Sequence, residues 1–279
     1  MVLNSVGIVG LGLMGGSLGL SLRHFLPDTK FIGYDHNEAH IKDAIVLKLV
    51  DKVTTDINDI FECELVILAI PVDGIINILK NIKSIRQNCT IIDLGSTKKQ
   101  ICENIPKHIR ENFVATHPMT GTEKSGPNAA FDGLYKNKTV VLCDVEQSGK
   151  AQLELVEQVY KKLGMNIIYM DSASHDKHSA FISHMPHAIS YALANSVMKQ
   201  EDPKSIVALA GGGFRDMSRI AKSSPEMWES IFKQNKTNVL ESIGYFIKEL
   251  NIFKELLENE DYDGLKMWMS DANKLHDIL

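Results

Sequence analysis

Cysteine is sparse in this chain of 279 residues: Cys63, Cys89, Cys102 and Cys143 stand far apart, with no C-x-x-C pair. That spacing excludes a thiolate zinc site and a disulfide scaffold. Three of the four lie in or beside apolar segments, the usual setting of reduced, buried thiols. No run approaches the roughly 18 consecutive apolar residues that a membrane span needs. Blocks of lysine or arginine are also missing, and 30 basic against 35 acidic side chains leave a formal charge of −5. A nucleic-acid surface is therefore not expected. The first residues carry no basic n-region, no long apolar h-region and no cleavage site, so a cytoplasmic protein is expected. There is no internal repeat and no low-complexity tract.

What is present is the balance of a globular protein, 44% apolar and 23% charged residues, in a length that suits one or two domains. The first half alternates β-branched runs with amphipathic stretches. Strands are expected at Val6–Gly10, Lys30–Asp35, Leu65–Ile70, Thr90–Leu94, Phe113–Thr116, Thr139–Cys143 and Asn166–Met170. Helices are expected at Met14–Phe25, Glu38–Leu47, Gly74–Lys83, Lys98–Ile109 and Lys150–Leu163. Uninterrupted apolar strands such as Glu64-Leu-Val-Ile-Leu-Ala-Ile-Pro71 imply burial on both faces, hence a mostly parallel, doubly wound α/β sheet of Rossmann type. After Asp171 the strand signals stop. Ser172–Lys199 reads as one long helix, followed by helices broken at Pro203, Gly211–Gly213 and Pro225. The expected division is a nucleotide-binding domain at 1–170 and an all-α domain at 171–279. The helical half carries broad apolar faces, including Trp228, Ile231, Phe232, Val239, Ile243, Phe246, Leu250 and Phe253. That much apolar helix surface predicts burial against a second subunit, hence a homodimer.

Gly10-Leu-Gly12-Leu-Met-Gly15 falls between the first strand and the first helix, the one context in which G-x-G-x-x-G carries weight. Gly10 makes the tight turn, Gly12 lets backbone approach a pyrophosphate, and Gly15 lets helix and strand pack closely. The helix N-terminus offers free N–H groups and positive dipole potential to phosphates. Asp35 ends the second strand 20 residues after Gly15, where a carboxylate accepts hydrogen bonds from both ribose hydroxyls and repels a 2′-phosphate. The expected cofactor is NAD rather than NADP. Candidate contacts are the loop from Gly10 to Gly15, with Leu11, Leu13 and Met14 between its glycines, Asp35, and Ile70–Pro71 at the end of the third apolar strand.

Two loops follow strands of the same sheet, and ligands of such sheets bind at strand C-terminal ends. One holds Asp93, Ser96 and Lys98; the other runs from His117 through Thr122 and Glu123 to Gly126. His117 and Ser96 are the candidate catalytic pair. An imidazole suits removal of a hydroxyl proton while the carbon loses hydride, and a hydroxyl such as Ser96 can hold the productive tautomer or bind the substrate. The helical half adds His184 and His187, three apart on one face, and Arg215 and Arg219, four apart after the glycine turn. A guanidinium fork is the natural partner of a substrate carboxylate. A metal held by His175, His178, His184 and His187 is not expected, because the spacing lacks H-E-x-x-H and no cysteine accompanies it.

Taken together, GLGLMGGSLG at 10–19, DLGSTK at 93–98, HPMTGTEKSG at 117–126, HDKHSAFISHMPH at 175–187, GGGFRDMSRIA at 211–221 and the Pro225–Trp228 segment resemble the prephenate/arogenate dehydrogenase family of tyrosine biosynthesis. The resemblance spans nearly the whole chain. It implies NAD-dependent oxidative decarboxylation of prephenate, with His117 as catalytic histidine, Ser96 beside it, and Arg219 on a prephenate carboxylate. It also implies that His187, Thr122 and Glu123 line the pocket, while His184 and Arg215 are further candidates. Ala115-Thr116 stands where many relatives have Gly-Ser. Neither a fused chorismate mutase nor a C-terminal regulatory domain is expected. Three alternatives stay open at this point. Arogenate could be the substrate, with Glu123 facing its ammonium. A β-hydroxyacid type would use a helix lysine such as Lys177. A silent NAD sensor is the third.

Overall fold

A computed structural model describes residues 2–278 of the protein. The expected strands form, together with one that the pattern did not signal. They are β1 (Ser5–Val9), β2 (Lys30–Tyr34), β3 (Lys52–Val53), β4 (Leu65–Leu68), β5 (Thr90–Asp93), β6 (Phe113–Pro118), β7 (Thr139–Cys143) and β8 (Asn166–Met170). They make one sheet in the order β3-β2-β1-β4-β5-β6-β7-β8, parallel throughout except between β6 and β7. The order reverses between β1 and β4, so the crevice outside their C-terminal ends is the natural ligand site of this topology.

Alternate residues of each strand face opposite core layers. Val6, Ile8, Leu65, Ile67, Ile92 and Val114 enter one cluster. Val9, Val66, Leu68, Ile91, Phe113 and Ala115 enter the other. The layers are closed by α1 (Leu13–Arg23), α2 (Glu38–Val46), α3 (Asn58–Phe61), α4 (Val72–Asn81), α5 (Lys99–Glu103) and α6 (Lys150–Lys162). The helix expected over Lys98–Ile109 is shorter. It ends at Glu103, and a separate 3₁₀ turn runs from Lys107 to Asn112. Pro106, at φ −62° and ψ 140°, explains the break, since it donates no N–H and pushes the residue before it out of the helical region.

The C-terminal part is helical as expected: α7 (Ser172–Ser179), α8 (Met185–Met198), α9 (Pro203–Ala208), α10 (Gly212–Ser218), α11 (Pro225–Gln234), α12 (Lys236–Glu258) and α13 (Tyr262–Asn273). Pro203 and Pro225 begin their helices, where a missing N–H costs nothing. Asp171, Asp202, Ser224 and Asp261 cap α7, α9, α11 and α13 through side-chain oxygens, as short polar caps do. α7 and α8 run on through a π-helical turn at Ala180–His184. Pro186 accounts for its position: in a regular helix its ring would collide with the carbonyl of Ile182, four residues back.

Candidate active site

Gly10 sits at φ +93° and donates its N–H to the Tyr34 carbonyl at 2.9 Å. A Cβ there would lie 2.3 Å from the Ala69 carbonyl oxygen, and one on Gly15 would lie 2.0 Å from that of Gly10. Both positions therefore require glycine. A Cβ on Gly12 would meet only the Gly126 nitrogen, at 4.0 Å. The loop is thus open at Gly12, in front of the unpaired N–H groups that begin α1, and this is the cradle a pyrophosphate fits. The Asp35 carboxylate is 5% exposed and accepts the N–H groups of Leu11 and Asn37, each at 2.9 Å. Beside it opens a cavity of about 340 Å³ lined by Tyr34, Asp35, Ile57, Phe61, Ile70 and Ile78. Its apolar walls and single carboxylate suit an adenine and its ribose. The side chains of Leu11 and Leu13 belong to the core, so a cofactor contact at these two positions falls to their backbone. The Met14 carbonyl is held by the Tyr135 hydroxyl at 2.7 Å, and Pro71 caps α4 from an exposed position.

Pairing between β5 and β6 stops at Val114, and two side chains replace the missing ladder. Asp93 accepts the N–H groups of Thr116 at 3.1 Å and Gly95 at 2.9 Å. The ammonium of Lys98 contacts the Asp93 carboxylate and donates to the Thr116 carbonyl at 2.7 Å. Asp93 and Lys98 are fully buried, so this ion pair is desolvated and each member depends on the other. It fixes the backbone immediately before His117.

His117 is nearly enclosed, with 9% exposure. Its Nδ1 lies 2.8 Å from Nε2 of His175, and His175 Nδ1 lies 2.8 Å from Oδ1 of Asp176. Asp176 also accepts the N–H groups of Lys98 at 2.7 Å and Lys99 at 3.0 Å. A carboxylate can only accept, so His175 donates from Nδ1 and accepts at Nε2. His117 must then donate from Nδ1, which leaves the lone pair on its Nε2. Burial pushes the His117 pKa well below the ordinary imidazole value, reinforced by His175 and the Lys98 charge. Burial also lowers His175, against the opposing pull of Asp176. The result is a neutral imidazole with its tautomer set, suited to accept a proton at Nε2. Ser96 is half-buried on the same rim, but no hydrogen bond joins it to His117. The ring nitrogen foreseen for it is taken by His175, which leaves Ser96 available to a ligand.

His184 and His187 share a helix but not an environment. Asn235 donates from Nδ2 to the Asp176 carbonyl at 2.7 Å and to His184 Nδ1 at 3.0 Å. His184 therefore carries its proton on Nε2, which is buried with no hydrogen-bond partner, as is the Trp228 indole Nε1. The two rings meet edge-on with centroids 6.0 Å apart. His187 stacks on Trp228 at 3.6 Å and donates from Nδ1 to the Ser183 carbonyl at 2.9 Å. Arg219 acts on His187 through its charge and faces Glu123, Nη1 to Oε2, at 3.9 Å. Glu123 lies six residues after His117, so the helical half and the sheet rim meet at this pair. Thr122 is exposed and holds the Lys124 N–H at 3.2 Å. Arg215 is exposed and donates to the Ala210 carbonyl at 3.3 Å, so it turns back on its own turn. Lys177 and His178 are exposed, away from buried His175. Among the described residues no three His, Cys, Asp or Glu side chains are grouped as a metal site needs.

Burial drives the His184 pKa down to about 4. An unfolded chain takes that proton near the ordinary value of 6.5, so between the two values the unfolded state binds more protons. The contribution is fully present above about pH 6.5 and is lost as pH falls toward 4, on the order of 3 kcal/mol for this residue. Urea midpoints should drop between pH 7 and pH 4.5, and His184→Phe should flatten the dependence. Equal midpoints at both pH values in the unsubstituted protein would contradict this.

A family model described as prephenate dehydrogenase, nucleotide-binding domain, matches residues 18–169, and one described as prephenate dehydrogenase, dimerization domain, matches residues 171–271. A prephenate dehydrogenase of Bacillus subtilis is 31% identical over 98% of this chain and 75% of its own length. A cyclohexadienyl dehydrogenase of Zymomonas mobilis is 31% identical over 98% of this chain and 95% of its own. A crystal structure of prephenate dehydrogenase from A. aeolicus, in complex with hydroxyphenyl propionate and NAD+, superimposes with a TM-score of 0.91 at 36% identity, covering 99% of this chain and 98% of that one.

Proposed function

Because the chain belongs to the prephenate dehydrogenase family, we propose that it oxidises and decarboxylates prephenate with NAD, yielding 4-hydroxyphenylpyruvate, CO2 and NADH for tyrosine biosynthesis. The observation that carries this reading is the relay from Asp176 through His175 to His117, which ends on a free Nε2 lone pair at the sheet rim. NAD when bound accepts the hydride of the ring carbinol carbon. His117 takes the hydroxyl proton at Nε2 as the C–O bond becomes a carbonyl. The ring carboxylate then leaves as CO2, its electron pair makes the ring aromatic, and the oxygen recovers a proton from His117. Aromatisation drives that last step, so no strong acid is needed.

Prephenate brings two carboxylates. Arg219 supplies the guanidinium for one of them, within the group of Thr122, Glu123, His184 and His187. Trp228 joins that group, and its unpartnered indole N–H adds a donor. Ser96 hydrogen-bonds the substrate or the nicotinamide rather than the catalytic imidazole. Residues 1–170 hold the cofactor, and residues 171–279 supply substrate contacts and the subunit interface. NADH formation followed with prephenate and L-arogenate side by side should show the higher kcat/KM for prephenate. No turnover of either would end the reading, and a preference for arogenate would assign Glu123 to the substrate ammonium.

The protein works in the cytoplasm as a homodimer joined through the helical half. No helix among the described residues is long and apolar enough to cross a membrane. Leu240, Leu250, Phe253 and Leu257 on α12 are exposed, an apolar face that a second copy would cover. Sedimentation of the native protein should give twice the chain mass; a monomer at micromolar concentration would refute the assembly.

A further inference from the structure

Asp35, the carboxylate expected to select NAD, has two imidazoles beside it. His36 Nδ1 lies 3.6 Å from Oδ1, and His40 Nδ1 lies 3.5 Å from Oδ2. Neither is needed to hold the carboxylate, which already receives the backbone N–H groups of Leu11 and Asn37. His36 is 90% exposed and forms part of the cavity wall, while His40 is 35% exposed on the first turn of α2. The other ionisable groups on the packed elements are Lys30 and Tyr34 on β2, Glu38, Lys42 and Asp43 on α2, Lys52 on β3, Asp59 on α3, whose carboxylate accepts the Thr54 hydroxyl, and Asp73 and Lys80 on α4. Asp43 is held by the Asn128 amide at 2.6 Å. The Gly126 backbone approaches His40 Nε2, where a Cβ would be 3.8 Å away, but brings no charge. The glycine loop offers only backbone, and α3 presents Asn58 and Phe61.

We propose that His36 and His40 make the nucleotide preference of this site depend on pH, with the two imidazolium ions admitting a ribose 2′-phosphate that Asp35 alone excludes. The inference rests on the reading of this loop as the NAD site. With both rings neutral, the ribose meets a single negative charge and NADP is repelled. Two cations flanking one carboxylate turn the local charge from −1 to +1 and present N–H donors to a phosphate. NAD lacks that phosphate and presents only its more distant pyrophosphate to the new charge, so it gains less from the change.

Isothermal titration of the intact protein with NAD+ and with NADP+, at pH 6.0 and 8.5 and constant ionic strength, tests this directly. A change of two unit charges within a few ångströms should narrow the NAD preference by about tenfold or more at pH 6.0. The 2′-phosphate itself protonates near pH 6, so the paired His36→Gln, His40→Gln variant is titrated in parallel and should lose most of the narrowing. The proposal is overturned if the ratio of the two dissociation constants is the same at both pH values. It is equally overturned if the variant narrows as much as the unsubstituted protein. Binding of neither nucleotide at either pH would fail the cofactor site itself, whereas tight NAD binding with a fixed preference fails the imidazoles alone.

Discussion

His117→Asn is expected to lower kcat by about 10²–10⁴-fold, the range for loss of a general base. Asparagine can still donate its amide N–H toward Nε2 of His175, so the relay and the fold persist while the proton acceptor is gone. KM for NAD should stay near its original value, because the cofactor cradle is built from β1, α1 and β2. The same residue sets the shape of the pH profile. Burial, together with the neighbouring His175 and Lys98, holds the His117 pKa well below the ordinary imidazole value. A base works only when unprotonated, so activity is lost as pH falls, and the acid limb of kcat should lie below about 6.5. Turnover unaffected by the substitution would remove His117 from the chemistry. An acid limb at or above the ordinary imidazole range would contradict the buried, neutral base.

The second large effect is expected at Arg219. Arg219→Ala should raise KM for prephenate by about 10- to 100-fold, the loss of one charged hydrogen-bonding group of roughly 1.5–3 kcal/mol. KM for NAD should change far less. Its partner Glu123 stands 3.9 Å away, and the two side chains are 59% and 37% exposed, so the pair contributes little to stability. The melting temperature should therefore hold while binding falls, which separates a substrate contact from a structural one. Arg219→Lys keeps the charge but loses the planar fork and should recover only part of the affinity. Equal rises in KM for both substrates would assign Arg219 to something other than the prephenate carboxylate.

Much of this molecule could be read from residue order because its local signals agree with its global topology. The β-branched runs, the glycine loop and the proline and cap positions of the helical half each report a local preference that packing then reinforces. β3 escaped because Lys52 and Val53 are too few to show alternation. The expected helix over 98–109 overran because its apolar period continues past Pro106 while the backbone cannot. Within the site, His117, Ser96, Arg219 and Glu123 were legible as chemistry-bearing residues after strands or a glycine turn. The partnership of His117 was not. His175 lies 58 residues further along the chain, and only the docking of α7 against the end of β6 brings the rings together. An i, i+3 spacing placed His184 and His187 on one face, yet Asn235 buries the former while Trp228 covers the latter. Such differences arise from neighbours remote in sequence, which spacing alone does not encode.

The π-helical turn between α7 and α8 has a further consequence, for angular phase. In an unbroken α-helix each residue advances about 100° around the axis, so His175 and His187 would stand about 120° apart. One residue absorbed in the wide turn brings that angle back to about 20°, so both rings look toward the same side. Closing Ala180–His184 into a regular turn with every residue kept would restore the offset of about 120° and swing His187, with its grip on Trp228, away from the relay, whereas deleting one residue there would regularise the ladder and leave the angle near about 20°. The helix thus gives up one regular turn, and that concession sets the ring at its far end in line with the one at its start.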